Sequence, residues 1–564
     1  MAFFRQSKVN GRQSKEGNTL IPTTIRDFSG GLNVTDTDLN MKPKYAKVLD
    51  NMERSIDGTL AIRPGTKLFG EVNVAADTSN VVNVYYFNNT IITVQTSGRV
   101  CKVNGAGVAT SLSTLWGATT YVSFTVFNSQ LLIHNGVNKP LIIEGNPNKP
   151  NYMLCVASVD LGSGSNVNTP IGTLVISHAQ YAIVAGIPTA PSTIYVSARG
   201  TSGTFLGDPP PNDAIALDLG PRVSLGSSVI TGMVSYRDKL LITFERGILP
   251  INLGVYTGSP TAVHTPTDDG FIEEFGCLAH RSLISVGDDT FFNDNIGVNS
   301  IQRVVLYNTL RPQRVSHLID PLITELIQPL SQEQIAQYVF AVYDMRNKRY
   351  MLFIPVFDET GLIVTETICF SYTDIPGLNI NAWARLRGWI WTAACRTSLQ
   401  NIIFVNGNKL YTYDFDNKTS NADFVGDITK NADGTGIAIT FDWELPWADF
   451  NRRMNKKETV YFSLDTTGDA EFTASMYVDN LRTDESGADA PALTTVMIGG
   501  SSGGYGVPGF GNSPFGGGRP TGDERLFEWP AEFKICKLRF TGSTKKKLRM
   551  VSLSLAYKRG SIRR

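Results

Sequence analysis

The sequence predicts an all-β fold: a β-propeller of about six blades, with an inserted β domain and a platform formed by the N- and C-terminal segments. Three observations predict it. First, a loose unit recurs, made of an apolar run, a short polar turn, a second apolar run and often a glycine. It reads VVNVYYFNNTIITVQTSG at 81–98, YVSFTVFNSQLLIHNG at 121–136 and VITGMVSYRDKLLITFERG at 229–247. The turns Asn88-Asn89, Asn128-Ser129, Arg237-Asp238, Asp288-Asp289 and Arg346-Asn347 carry hairpin chemistry, because tight primed turns need positive φ. Second, the turn-to-turn spacings are about 40, 109, 51, 58 and 52 residues, and four of the five suit a blade of four short strands. Third, 52 glycines, 10% aromatics and few stretches of helical period describe a turn-rich β protein. A tandem of β-sandwiches built from the same hairpins stays open as the alternative.

Taken in order, residues 1–19 are polar and basic and read as a flexible arm. Residues 20–71 form an N-terminal platform segment. Within it, Pro43 suits a first helical position, and Tyr45, Val48, Leu49 and Met52 follow at helical spacing, which predicts a short amphipathic helix. Asp57-Gly58 then marks a hairpin and Pro64-Gly65 a second turn. Residues 72–145 open the propeller. The interval of 109 residues is too long for one blade, and its excess is bounded by the Pro-rich GNPNKPNYM and FLGDPPPNDAIALDLGPR. Residues 146–225 are therefore expected as an inserted β domain, with the propeller resuming over 226–415. From 416 to 564 the pattern changes to a C-terminal β platform or tip domain, interrupted by a Gly-rich loop at 499–522 that is too poor in apolar residues to fold alone.

Charge is balanced overall but polarised along the chain. Eleven of the 51 Lys/Arg lie in 534–564 without a single Asp or Glu, and four more stand in 1–16 beside one Glu. The body 17–533 thus carries 36 basic against 50 acidic residues, a net charge of −14. Basic ends on an acidic body suit docking to an acidic partner or a neighbouring copy; a solvated basic edge strand is the plainer reading. The candidate contact residues are Lys545, Lys546, Lys547, Arg549, Lys558 and Arg559. Six cysteines without a C-x-x-C spacing point to assembly in a reducing cytoplasm. No run of 18 apolar residues occurs, so no membrane-spanning helix is expected.

No catalytic, metal or cofactor residues can be assigned. Gly499-Gly500-Ser501-Ser502-Gly503 matches G-x-S-x-G but lacks the strand and helix that a nucleophile elbow needs. Gly504, Gly506 and Gly509 match a dinucleotide fingerprint, but Pro508 and the lack of a βαβ unit remove it. A calcium loop starting at Asp414 fails at Thr419 and Val425. The five histidines show no zinc spacing. Asp268-Asp269-Gly270 with Glu273-Glu274 forms an acidic cluster, with a solvated turn as its plainer reading. Trp383, Arg385, Arg387, Trp389 and Trp391 interleave aromatic and basic residues like a nucleic-acid stacking surface, although burial between strands is the commoner use of such a run.

One stretch carries a resemblance. DFSGGLNVTDTDLNMKPKYAKVLDNMERSIDGTLAIRPG contains Gly30-Gly31, Leu49-Asp50-Asn51, Gly58-x-Leu60 and Arg63-Pro64-Gly65. It resembles the start of the tail nozzle proteins of short-tailed bacteriophages, the tail tubular protein B family. FGCLAHRSLISVGDDTFFNDNIGVNSI, VYDMRNKRYMLFIP and NAWARLRGWIW resemble later parts of that family. The resemblance implies a structural virion protein of the tail, assembled in the host cytoplasm. It implies a ring of six copies below the adaptor ring and portal, beside tail fibres or spikes. It implies a lumen that retains double-stranded genomic DNA and lets it pass at ejection without reading its sequence. It also implies a platform that joins the N-terminal unit to the returning C-terminal strands. No cofactor and no enzymatic activity are expected. The alternative is a tail-associated carbohydrate-binding or depolymerising propeller, which would need facing carboxylates about 5–9 Å apart in a cleft.

Overall fold

The computed structural model describes residues 20–55, 59–146, 149–157, 169–205, 214–224, 226–254, 266–286, 289–304, 309–375, 380–414, 436–450, 455–467, 470–478, 493–498 and 525–559. The expected arm, Gly58, Asp288, the Gly-rich loop with its G-x-S-x-G and dinucleotide-like matches, and the positions that closed the calcium motif all lie outside these residues. The chain divides into two units. One is Leu68–Cys369 with Gly388–Tyr413; the other is Met1–Lys67 with Phe370–Arg387 and Asp414–Arg564. Among the described residues, no helix is long and apolar enough to cross a membrane.

The first unit is a β-propeller whose blades follow one another along the chain. Blade 1 is Val81–Phe87, Thr90–Gln95, Val100–Val103 and Ala109–Ser113; blade 2 is Ser123–Phe127, Gln130–His134, Leu141–Asn146 and Lys149–Ala157. Blade 3 is Leu174–His178, Tyr181–Ala185, Thr193–Val196 and Ile215–Asp218. Blade 4 is Gly232–Tyr236, Lys239–Thr243 and Gly247–Asn252, edged by Thr267–Asp268 and Ile272–Glu273. Blade 5 is Ile284–Val286, Asp289–Asn293, Val298–Val304 and Thr309–Arg314. Blade 6 begins with Phe340–Asp344 and Arg349–Phe357, and blade 7 with Ala393–Arg396, Ile402–Asn406 and Lys409–Tyr413. Blade 7 takes its outermost strand from Thr66–Glu71, ahead of blade 1 in sequence. That exchange ties the two ends of the propeller segment together.

Packing closes the ring. Val94, Trp116, Leu131 and Ile143 lie between blades 1 and 2, and Leu132, Ile142, Val184 and Phe205 between blades 2 and 3. Ile183, Val196, Ile242 and Leu249 fill the gap between blades 3 and 4, and Val234, Leu241, Phe292 and Ile301 that between 4 and 5. Phe291 meets Tyr350 edge-on at 5.3 Å between blades 5 and 6. Phe353 and Phe404 join blades 6 and 7 at 6.1 Å. Val84, Cys101, Val405 and Leu410 return from blade 7 to blade 1. Each sheet therefore buries both faces, at roughly 25 cal/mol for each Å² of apolar surface removed from water.

One expectation is corrected here. The described residues form seven blades, within one of the expected six, but the expected inserted domain at 146–225 is not an insertion. Residues 149–157 complete blade 2, and 174–218 form blade 3. The hidden hairpin turns at Ala179-Gln180, with φ of 48° and 68°. Asn88-Asn89 adopts the same left-handed pair at 47° and 60°. Neither Ala nor Gln signals such a turn in sequence, so the blade reads as an insertion. Between blades 5 and 6 stand two short helices, Asp320–Ile327 and Gln332–Tyr338. The second opens on a capping box in which Ser331 and Gln334 satisfy each other's backbone N–H.

The second unit is a pair of packed sheets assembled from distant segments. Leu20–Ile25 runs antiparallel to Arg549–Arg559, from Leu20 opposite Lys558 to Ile25 opposite Leu553. Lys457–Thr467 flanks the other side of that strand and pairs in turn with Arg525–Phe533. The hairpin Met52–Arg54 and Leu60–Ile62 adds to the same sheet through Met550. In the second sheet, Val48–Asp50 lies beside Ile439–Glu444, which continues through Cys536–Thr544 to Glu471–Val478 and Leu493–Ile498. Trp443 stacks on Phe540 at 4.7 Å, and Phe28 meets Trp443 edge-on at 5.3 Å.

The helix expected from Pro43 to Met52 is absent. Tyr45–Ala46, Val48–Asp50 and Met52–Arg54 are strands, broken at Asn51 with φ of 55°. Their backbone groups find partners far away: Lys47 N–H donates to Glu444 O at 2.8 Å and Asn51 N–H to Arg385 O at 2.8 Å. A ladder of such long-range bonds outweighs a weak local helical pattern. The expected stripe is buried only in part: Leu49 and Met52 are fully enclosed, while Tyr45 and Val48 are half-exposed.

Candidate functional site

The residues of the N-terminal signature come together in a buried node of the platform unit. Asn51 is its centre. Its left-handed backbone turns the side chain inward, where Nδ2 donates to Thr440 O at 2.8 Å. Its Oδ1 accepts from Arg63 Nε at 2.9 Å and from Arg387 N–H at 2.8 Å. Arg63, 1% exposed, also donates to Arg387 O at 3.2 Å and to Pro64 O at 3.3 Å. Asp50 holds Arg385 through two bonds of 2.6 and 2.8 Å. Leu49 pairs in register with Trp443, and Leu60 is 2% exposed.

The two glycines are explained by crowding. A Cβ on Gly30 would stand 2.4 Å from the Tyr45 ring. One on Gly31, which has φ of 66°, would stand 2.6 Å from Trp383 O. Only glycine fits such a backbone-to-backbone approach. Gly65 O accepts Asp414 N–H at 2.9 Å. All these contacts are polar, geometric and internal. The node orders the platform.

The basic candidates lie on and before the last strand. Lys546 and Arg549 are exposed, while Lys545, Lys547 and Lys558 are half-buried; the side chain of Arg559 lies outside the described residues. Burial first, then the neighbouring Arg549, holds Lys547 below the usual lysine range, with Asp414 opposing. The acidic cluster of blade 4 is largely answered within the propeller. Arg222 pairs with Asp268 and Lys239 with Asp269, and Ser224 donates to Glu273 at 2.7 Å. The tryptophan run is buried as well, with Trp383 at 1%, Trp389 at 3% and Trp391 at 5% exposure.

The propeller unit also encloses open volume. A cavity of about 550 Å³ opens among the innermost strands of blades 1, 2, 5, 6 and 7. A second, of about 490 Å³, is lined by residues around the starts of blades 2 to 5 and by the helix Gln332–Tyr338 ahead of blade 6, with Glu245 and Glu333 also in its lining. His280 borders both, and burial, then Arg281, hold its imidazole down to about 4, so it is neutral at pH 7. Arg281 spans blades. It donates to Gln337 O at 2.6 Å, to Thr392 O at 3.1 Å and to Asn83 Oδ1 at 3.3 Å, and it lies over the Phe340 ring at 5.2 Å. Nothing in the sequence singled out Arg281 or this cavity, because both depend on five blades meeting.

Burial pushes the thiols of Cys277 and Cys395 up to about 12, so they stay protonated and inert. Among the described residues, no group of three His, Cys, Asp or Glu side chains is placed to hold a metal ion.

No family model and no curated protein matches the chain. Solved structures do match in shape. The crystal structure of a mitotic checkpoint complex aligns at 8% identity and a TM-score of 0.36, covering 62% of this chain and 95% of that one. A streptogramin B lyase structure aligns at 8% identity and a TM-score of 0.36, covering 62% and 97%. The propeller assignment rests on the blades themselves and their closed packing.

Proposed function

We propose that this chain is a structural subunit of the tail nozzle of a short-tailed bacteriophage. Six copies would form a ring below the adaptor ring, continue the DNA channel, retain the genome and release it at ejection. One observation carries the reading. The motif residues that resemble the nozzle family, Gly30, Gly31, Leu49, Asn51, Leu60, Arg63, Pro64 and Gly65, converge with C-terminal strands in one unit. A platform built from both termini is what the resemblance implies. A signature spent on internal geometry suits a part whose task is shape.

The role needs a lumen that does not hold DNA. Each phosphate neutralised by Lys or Arg adds salt-dependent affinity, and many such contacts would arrest a sliding polyanion. An acidic body of −14 suits the wall. The basic residues Lys545 to Lys547 then belong at the adaptor ring or a neighbouring subunit. The deciding experiment is the native mass and electron-microscopic symmetry of the purified protein, with and without its adaptor ring. Six-fold rings are expected; a monomer under both conditions overturns the reading. Reversing Lys545, Lys546 and Lys547 to Glu is expected to weaken adaptor attachment in a salt-sensitive way with the monomer still folded.

A further inference from the structure

The 550 Å³ cavity of the propeller is not used by a nozzle role, and its chemistry is specific. Among the described residues, its lining contains two charged arginines, Arg281 and Arg396, and no Asp or Glu. The protein partners of Arg281 are carbonyl and amide oxygens and the face of Phe340, none of which cancels its charge. Arg396 is exposed at the same cavity. Two cations with no carboxylate among the described lining residues, in a concave site within an acidic body, attract an anion more strongly than the same cations would on an open surface.

The remaining lining narrows the anion. Tyr85 and Phe124 form an apolar wall, their rings 5.5 Å apart and stacked at 28°. Ser285, exposed in the cavity, adds a hydroxyl. Aromatic rings beside donors and acceptors in a cleft of this size fit a ligand with both a ring face and hydroxyl groups. A bare inorganic ion would use only the arginines. Among the described residues, the lining holds no carboxylate pair of the kind that glycoside hydrolysis uses.

We propose that this cavity binds an acidic monosaccharide unit, a hexuronate being the simplest, with its carboxylate at Arg281 and Arg396 and its ring against Tyr85 and Phe124. The inference does not depend on the nozzle reading, because ligand binding and ring formation are measured separately.

The test is calorimetric titration of the full chain with D-glucuronate, D-glucose and inorganic phosphate. One glucuronate per chain is expected, with glucose and phosphate each at least tenfold weaker. Arg396→Ala, at an exposed position, is expected to weaken glucuronate at least tenfold with the melting temperature unchanged. Arg281→Lys is expected to weaken it too, and its melting curve reports any loss of the cross-blade contacts. Absence of glucuronate binding at millimolar concentration overturns the proposal. So does equal affinity for phosphate, or affinity unmoved by Arg396→Ala.

Discussion

In the propeller unit a strand usually finds its partner across one short turn; in the platform unit it finds it hundreds of residues away. Phe87 pairs with Thr90 around Asn88-Asn89, whereas Thr24 Oγ1 lies 3.0 Å from Ser554 Oγ across 530 residues of chain. Both units are stacks of sheet with apolar interiors, yet they store their instructions differently. A blade is specified by local turn chemistry and alternation, and each interface repeats the last. The platform is specified by a few polar and geometric fits, such as Asn51 and Gly31, that mean nothing until remote segments meet. The difference predicts that the two units fail separately and for different reasons.

The largest expected effect falls on the platform. Met52 is 0% exposed, and Met52→Asp would replace an enclosed apolar side chain with a buried carboxylate, a change that costs about 3–5 kcal/mol. Differential scanning calorimetry is expected to show loss of the platform transition with the propeller transition retained. A single transition that shifts as a whole would mean that the units unfold as one.

Asn51→Ala is expected to cost about 3 kcal/mol. It places a Cβ-bearing residue without a polar side chain at φ of 55° and leaves Arg63 Nε, Arg387 N–H and Thr440 O short of a partner. Asn51→Gly keeps the backbone conformation and loses only the hydrogen bonds, so it is expected to cost less. Equal losses in chemical denaturation would show that the side-chain network alone matters.

Acid distinguishes the units in the opposite direction. All five histidines lie between 134 and 317, within the propeller unit. Burial holds His134 down to about 3 and, with Arg281, His280 down to about 4. A histidine kept neutral in the fold and free to charge when unfolded contributes its full stability above about pH 6.5 and loses it as pH falls toward the folded value. The loss is about 1.4 kcal/mol per pH unit for a fully buried ring, so about 2 kcal/mol from His134 by pH 5. The propeller transition is expected to fall between pH 6.5 and 5. His134→Gln is expected to flatten that dependence.

How much was legible follows the same division. Asn88-Asn89 and Asn128-Ser129 announce their hairpins because asparagine tolerates positive φ, and the blades they open lie where the turns place them. Pro43 with Tyr45, Val48, Leu49 and Met52 misled, since helical spacing over ten residues is a weak preference beside backbone ladders to Glu444 and Arg385. Arg63-Pro64-Gly65 was recognisable as a motif, but its job was not, because Asn51, Thr440 and Arg387 are brought to it only by folding. The axial cavity was illegible for the same reason: Arg281 has meaning only where blades 1, 5, 6 and 7 converge.

The smallest expected effect tests the blade that the sequence concealed. Ala179 and Gln180 are both exposed and both left-handed, at 48° and 68°. Alanine has no side-chain reason to stay there, while asparagine adopts that region readily. Ala179→Asn is therefore expected to stabilise the propeller by about 0.5 kcal/mol, a rise of about 1–2 °C in its transition. Ala179→Val, β-branched at the same φ, is expected to lower it by more than that. The neighbour is less suited to the experiment, because Gln180 Oε1 accepts Arg199 Nε at 2.8 Å and changing it removes a second interaction. A closed propeller reports a turn in any one blade through the cooperative melting of all of them, so even this increment is measurable in the propeller transition. If Ala179→Asn and Ala179→Val leave that transition unmoved, residues 174–218 melt outside the ring, and the region behaves as the inserted domain that its sequence suggested.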